Sequence, residues 1–513
     1  MKSWPEAPAG PDRARACLTV EVPCPGCGAP VRMDPAARTV SCDFCRRRHF
    51  LRGRRAYLTT FLEPRVRPAD ALLAAKRHLR EGEVRATRLL DPDLVYAPYW
   101  RVRARLFKWT RGSSLVRDAA GGGAMLQSTH TEVLARDFDH TFPACSADTG
   151  VWGLSTRPAM LEVKAFDPAR LPDGARWLKP EACGTKAREE GLARVDALLR
   201  PPVEFTVESG RLFPVQLTLT LVFFPFYVVR HRFRDEAWQG VIVDAVGGGV
   251  TADHPEELLP ATGEPWLPDE SGLSFLPLAC PDCTFALDFR ELDEVGRCPN
   301  CHRGWEVGDE RLEKVDECVE DPGAAGARLL PFWTFTGELT LPGVGRLRDA
   351  GQLRRLAYEG PGGGGRDRGD AVEFEGAGRG DASSASSGSP SGLPEVPRDG
   401  FRVLFPAFDA RHAEKLHELA VRFTLADPRW EPSTREAPGT CRLGREQAAG
   451  LADLCLLQAL AVNPKLQAAY LKGGSFTPSS ARLVWVPFYL SGTEYQEPRT
   501  AAVVPEMLLR PWE

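Results

Sequence analysis

CPGCGAPVRMDPAARTVSCDFC occupies residues 24–45, and CPDC at 280–283 with CPNC at 298–301 repeats its frame. Both stretches read C-x2-C-x14-C-x2-C. Two residues between thiolates let a tight turn aim both sulfurs at one ion, and two such knuckles close a tetrahedron. Pro25, Pro281 and Pro299 suit a knuckle turn, and Gly26 and Gly28 accept unusual dihedrals. The expected ligands are therefore Cys24, Cys27, Cys42 and Cys45 for one zinc ion, and Cys280, Cys283, Cys298 and Cys301 for a second. Two alternatives compete: a disulfide framework, which needs an oxidising compartment, and iron–sulfur clusters, which four thiolates also suit. Four thiolates fill the shell of a zinc ion, so the expected role is structural and not catalytic.

The chain has 14 cysteines. The other six (Cys17, Cys145, Cys183, Cys318, Cys441 and Cys455) show no paired spacing, and Cys455 lies in an apolar helical pattern. His302 follows a complete quartet and is read as a neighbour of the site, not a ligand.

Around the quartets runs a second repeat: an apolar residue or two, proline, then usually two aromatics. It occurs as YAPYW (96–100), FFPFY (223–227), LLPFW (329–333) and WVPFY (485–489), with LFPAF (404–408) as a degenerate copy. The residues that follow alternate as a strand does. Proline gives no N–H to a ladder, so it is expected at the start, edge or bulge of a strand, with the two aromatics on opposite faces. Helical patterns cover 68–82, 186–200, 409–424 and 445–462. Residues 359–399 are rich in Gly, Ser and Pro and nearly free of large apolar residues, the composition of a flexible linker.

These signals predict an α+β multi-domain protein, with two four-cysteine zinc ribbons embedded among repeated β-hairpin-rich modules and a few helices. The expected order is a disordered N-terminus (1–16), ribbon 1 (17–57), an α+β module (58–205), a β-hairpin module (206–270), ribbon 2 (275–310), a β module (311–358), the linker (359–399) and a C-terminal α+β module (400–513).

The combination of CPGCGAPVRMD…VSCDFC, a helix, YAPYWRV and FFPFYVVRHRF…VDAVGGGV resembles a loose family of bacterial proteins. These carry a zinc ribbon of the transcription-factor-IIB type followed by repeated Pro-aromatic strand modules. The resemblance covers most of the chain and implies no particular activity. Some members are labelled primosome- or helicase-like on the ribbon alone, and others carry membrane segments and sit in systems linked to membrane stress. This sequence departs from the pattern in its second complete ribbon and in lacking a membrane span.

Hydrophobic residues make up 43% of the 513 and charged residues 26%, enough apolar material to bury cores. No stretch reaches the roughly 18 apolar residues of a membrane span, and the N-terminus has no apolar signal region. A cytoplasmic location is expected. The net charge of -4 hides an asymmetry: residues 13–111 hold 22 Lys and Arg against 9 Asp and Glu. Such a basic head can meet an anionic partner or dock on the acidic body.

Just after the first quartet, Arg46, Arg47, Arg48, Arg52, Arg54 and Arg55 cluster near Phe44 and Phe50. Arginine neutralises phosphate and aromatics stack bases, so these six are the candidate nucleic-acid contacts. The glycine runs at 362–370 and 376–383 lack the Lys-Ser/Thr of a phosphate loop, and no hydrolase or zinc-protease motif occurs. His130, His140, Asp137 and Asp139 could form a polar cluster, with the two aspartates on one strand face. The expectation is a non-enzymatic scaffold or adaptor for protein partners, with nucleic-acid binding through ribbon 1 as the alternative and no small-molecule substrate.

Overall fold

The computed structural model describes residues 20–34, 37–52, 57–117, 125–145, 163–166, 172, 174–181, 183–199, 205–234, 236–252, 274–290, 292–308, 310–321, 326–359, 400–408, 414–428, 430, 432–433 and 441–509. The expected disordered N-terminus and nearly all of the expected linker lie outside them.

In the first half, β1 (Val20–Pro23), β2 (Pro30–Met33), β3 (Thr39–Ser41) and β4 (Arg48–Arg52) form the arms around the first quartet. Then come β5 (Leu58–Phe61), α1 (Pro68–Glu81), β6 (Arg88–Leu89), and the long strands β7 (Asp93–Arg117) and β8 (Met125–Pro143). The half continues with β9 (Val163–Ala165), β10 (Arg176–Trp177), α2 (Gly184–Leu198), β11 (Phe205–Arg232), β12 (Gln239–Asp244) and β13 (Val250–Ala252). Eleven of these strands make one mixed sheet, with β7 antiparallel to both β8 and β11. Segments 58–205 and 206–270 thus contribute to the same sheet.

The second half opens with β14 (Ser274–Pro277), β15 (Val295–Arg297), β16 (Gly304–Val307) and β17 (Leu312–Lys314) around the second quartet. It continues with β18 (Glu317–Glu320), β19 (Arg328–Leu341), β20 (Gly345–Leu347), α3 (Ala350–Glu359), β21 (Phe401–Pro406), α4 (Glu414–Ala426) and β22 (Pro432–Ser433). Last are α5 (Arg445–Gly450), α6 (Ala452–Ala459), α7 (Pro464–Leu471), β23 (Ser475–Ser491), β24 (Glu494–Glu497) and β25 (Ala502–Pro505). An 8-stranded sheet contains β19, β23, β21 and β18.

The two sheets share a register. In the first, Tyr96 stands opposite Pro225 and Pro98 opposite Phe223. In the second, Leu329 stands opposite Pro487 and Pro331 opposite Trp485. On the other flank Trp100 faces Phe142 and Tyr99 faces Pro143, as Trp333 faces Phe405 and Phe332 faces Pro406. Phe142-Pro143-Ala144 therefore occupies the place of Phe405-Pro406-Ala407, although the sequence repeat does not single it out. A short parallel strand lies next to the long antiparallel pair of each sheet at the same level: β5 puts Phe61 beside Phe223, and β18 puts Val319 beside Trp485.

The prolines sit within these strands, not only at their starts, and the hydrogen bonds explain how. The Ala144 N–H donates to the Pro98 carbonyl at 2.9 Å, Ala245 to Pro225 at 3.2 Å and Ala407 to Pro331 at 2.8 Å. Each donor is the first residue beyond a neighbouring strand, β8, β12 or β21. In an antiparallel ladder a residue's N–H and C=O face the same neighbour. Each missing N–H therefore falls where the adjoining strand ends.

The paired aromatics do take opposite faces. Tyr99 packs toward the first quartet and Trp100 into an aromatic cluster with Phe61, Tyr96, Trp177 and Phe223. The largest core joins the halves: Phe107, Trp109, Phe213 and Val215 pack with α4, α6 and the second sheet. Helix α1 buries Ala71, Ala75 and Leu79 and leaves Leu73 60% exposed. Among the described residues no helix is long and apolar enough to cross a membrane.

At the bulge between Thr336 and Gly337, a Cβ on Gly337 would lie 2.2 Å from the Thr477 carbonyl oxygen. Gly337→Ala is expected to destabilise the protein by about 1–3 kcal/mol, the usual cost of overpacking. Urea unfolding checks it, and an unchanged midpoint would contradict this close approach.

Candidate metal centres

Four knuckles with one hydrogen-bond pattern build the two clusters. In each, the residue after the second cysteine donates its N–H to the first cysteine's carbonyl. These bonds are Gly28 to Cys24, Arg46 to Cys42 and Thr284 to Cys280 at 2.8 Å, and His302 to Cys298 at 2.9 Å. The first cysteine's own N–H donates to the next residue on, Ala29, Arg47, Phe285 or Arg303, at 2.8–3.0 Å. Closing so tight a loop forces the intervening residue to positive φ: 75° at Gly28, 60° at Arg46, 62° at Thr284 and 59° at His302. Only the first of these is glycine, so three side chains are held in a disfavoured conformation.

The sulfurs converge. Sγ of Cys24 lies 3.7 Å from that of Cys45, and Cys27 lies 3.7 Å from Cys42. The second cluster shows 3.6 Å for Cys280–Cys301 and 3.5 Å for Cys283–Cys298. Four sulfurs about 2.3 Å from a tetrahedral ion stand about 3.8 Å apart, whereas a disulfide is about 2.05 Å. None of the described cysteines is in a disulfide. Both predicted quartets are thus brought together, and each could hold a metal ion.

The thiols differ in acidity. The Cys45 and Phe44 amides hold Cys42 down at about 7, and the Asn300 side chain and Phe285 amide hold Cys283 at about 6. At Cys27 the Ala29 amide acts downward, but desolvation and the three other thiols outweigh it and raise the group to about 11. At Cys301 the Arg303 amide is outweighed likewise, and the thiol rises to about 12. A divalent cation would let all four ionise together.

The clusters interlock. Cys24 and Cys42 pack on the first sheet with Tyr99, Val222 and Phe226. Strand β4 pairs antiparallel with β14, which leads into the second quartet. Phe50 of β4 enters the apolar core of the second quartet, beside Cys280, Cys298 and Trp305. Across this seam Thr39 donates to the Arg290 carbonyl at 2.9 Å, Arg38 pairs with Glu294 at 3.2 Å, and Arg48 pairs with Asp288. The basic head therefore docks on the body at these points.

Of the six arginines expected to meet nucleic acid, only Arg46 and Arg47 are placed as exposed side chains. Arg48 is spent on Asp288 and the Leu287 carbonyl. Arg52 lies in β4, and Arg54 and Arg55 fall outside the described residues. Phe44 is 70% exposed on the same knuckle as Arg46. Asp137 and Asp139 do share a face of β8, but they pair with Arg105 at 2.8 Å and with Arg101. His130 packs on Phe205 and His140 beside Phe142, so the four do not converge.

Sequence reasoning missed a buried acid. Glu306, on β16, accepts the Arg445 N–H at 2.5 Å and lies near Glu294 and Glu313. Burial raises its carboxyl from 4.5 to about 7, against the pull of Arg445. The only sequence signal is a glutamate flanked by Trp305 and Val307 in a strand of otherwise apolar character. No protein-family model, curated protein or solved structure matches this chain.

Because the folded carboxyl holds its proton more tightly than the unfolded one, the contribution of Glu306 to stability falls as pH rises from about 4.5 to about 7. Glu306→Gln should remove this contribution and make the variant more stable than the parent at pH 8 by about 1–3 kcal/mol. Urea midpoints at pH 5 and pH 8 test it, and parallel falls in both proteins would refute it.

Proposed function

We infer that the chain is a non-catalytic scaffold made of two copies of one zinc-clamped module, which offers its surfaces to protein partners in the cytoplasm. The observation that carries this reading is the closure of both sulfur quartets. Four thiolates leave a zinc ion no position for water or substrate, so the ion contributes cross-linking and folding energy and no chemistry. The duplication rests on the matched registers of β7–β11 and β19–β23 and on the parallel strand beside each. Thiolate selects soft metals, and tetrahedral sulfur geometry suits zinc, with iron–sulfur chemistry as the competitor.

A second reading is nucleic-acid binding by the first knuckle pair. It is favoured by the exposure of Phe44, Arg46 and Arg47, and weakened by the engagement of Arg48.

Metal analysis of purified protein should give about two zinc ions per chain. Cys42→Ser and Cys298→Ser should each lose about one ion, and colourless protein without iron would exclude clusters. Near-zero metal would overturn the reading. Capture from native cells with and without nuclease then separates the two functions: partners that persist support the scaffold, and partners that vanish support the second reading.

A further inference from the structure

The first sheet carries, well along β11 from its Pro-aromatic motif, a row of flat cations. Arg88 of β6 stands directly opposite Arg232 of β11. Trp238 immediately precedes β12, whose Gln239 stands opposite His231, so it neighbours Arg232 across the strands. The Arg232 guanidinium lies 4.8 Å from the centre of the Trp238 ring, and that of Arg88 lies 6.0 Å away. Arg230 sits two residues back on β11 and so shares the face of Arg232. It pairs with Asp93 at 2.8 Å, and Arg176 of β10 reaches the same carboxylate at 3.6 Å.

Arg230 and Arg176 share Asp93, and among the described residues the side chains of Arg88 and Arg232 have no ion pair. The Nε atoms of both Arg230 and Arg232 are shielded from water without a hydrogen-bond partner. The Trp238 ring holds the Arg232 charge close to its face beforehand, with Arg88 at the edge of cation–π range.

We propose that the Arg88–Arg232–Trp238 row, with Arg230 and Arg176, is a binding surface for single-stranded nucleic acid. Phosphates would meet the two unpaired guanidiniums, and a base would stack against the guanidinium and indole planes. A lipid surface fits less well, because a membrane-bound face inserts large apolar side chains. None of the large apolar side chains exposed among the described residues lies in this row: the nearest in sequence is Val84, before β6. The surface shares no residue with either sulfur cluster and does not depend on the scaffold reading.

The test is fluorescence anisotropy of the full-length, metal-loaded chain with labelled oligo-dT and oligo-rU of about 15 nucleotides, across a salt series. Arg88→Ala with Arg232→Ala should weaken binding at least tenfold. It should also lower the slope of log affinity against log salt by about 1.4, or about 0.7 for each lost phosphate contact. Arg232→Lys, which keeps the charge and loses the plane, should weaken binding while preserving the slope. It also covers the case in which the double variant fails to fold, as judged by circular dichroism. Arg46→Ala with Arg47→Ala should leave binding unchanged.

Three results would overturn the proposal. One is no binding by the parent protein at low salt. Another is loss caused by the Arg46/Arg47 pair and not by Arg88/Arg232. The third is binding to phosphatidylserine vesicles that depends on Arg88 and Arg232 while oligonucleotide binding does not.

Discussion

A proline opposite an aromatic residue sets the geometry of both sheets. Because proline has no N–H, a three-strand ladder can tolerate it only where one neighbour has ended. Pro98, Pro225 and Pro331 meet that condition, and each gives its carbonyl to the residue just past the neighbour's end. The flanking strands must then stop at a fixed level. That fixes where β8, β12 and β21 turn away, and hence where the helices and the knuckles can pack. The aromatics beside each proline fill both faces at that level, so register and core composition are specified together.

On this frame the two sulfur clusters act as paired clasps. The first grips the sheet through Cys24 and Cys42, and the second receives Phe50 from the first. The seam between them mixes ladder hydrogen bonds with Arg38–Glu294 and Arg48–Asp288. Exposed ion pairs add little individually, and Asp288 is 70% exposed. The apolar insertion and the strand pairing therefore hold the seam, while the charges orient it.

The quartets were fully legible in the sequence, because thiol spacing is a local property that the knuckle loop enforces directly. Five copies of the aromatic repeat, one of them the degenerate LFPAF, were legible as local patterns too. The copy at Phe142-Pro143-Ala144 was not, since Cys145 stands where Phe408 supplies the aromatic in its counterpart. Nor could the sequence show which arginines stay exposed. Arg48 reads like its neighbours Arg46 and Arg47, and only a partner 240 residues away, Asp288, sets it apart. Glu306 was hidden likewise: its burial comes from Arg445 and the chain around Cys441, far along the sequence.

The insertion of Phe50 also has a consequence for synthesis on the ribosome. Strand β4 and its phenylalanine emerge about 220 residues before β14 arrives to cover them, an interval of about 10–45 s at ordinary translation rates of about 5–20 residues per second. Throughout that time the nascent chain carries an unpaired strand edge beside an apolar ring, the kind of surface that recruits holding chaperones and pairs with neighbouring chains on a polysome. The first half of this protein is thus born incomplete, and its maturation is timed by the second.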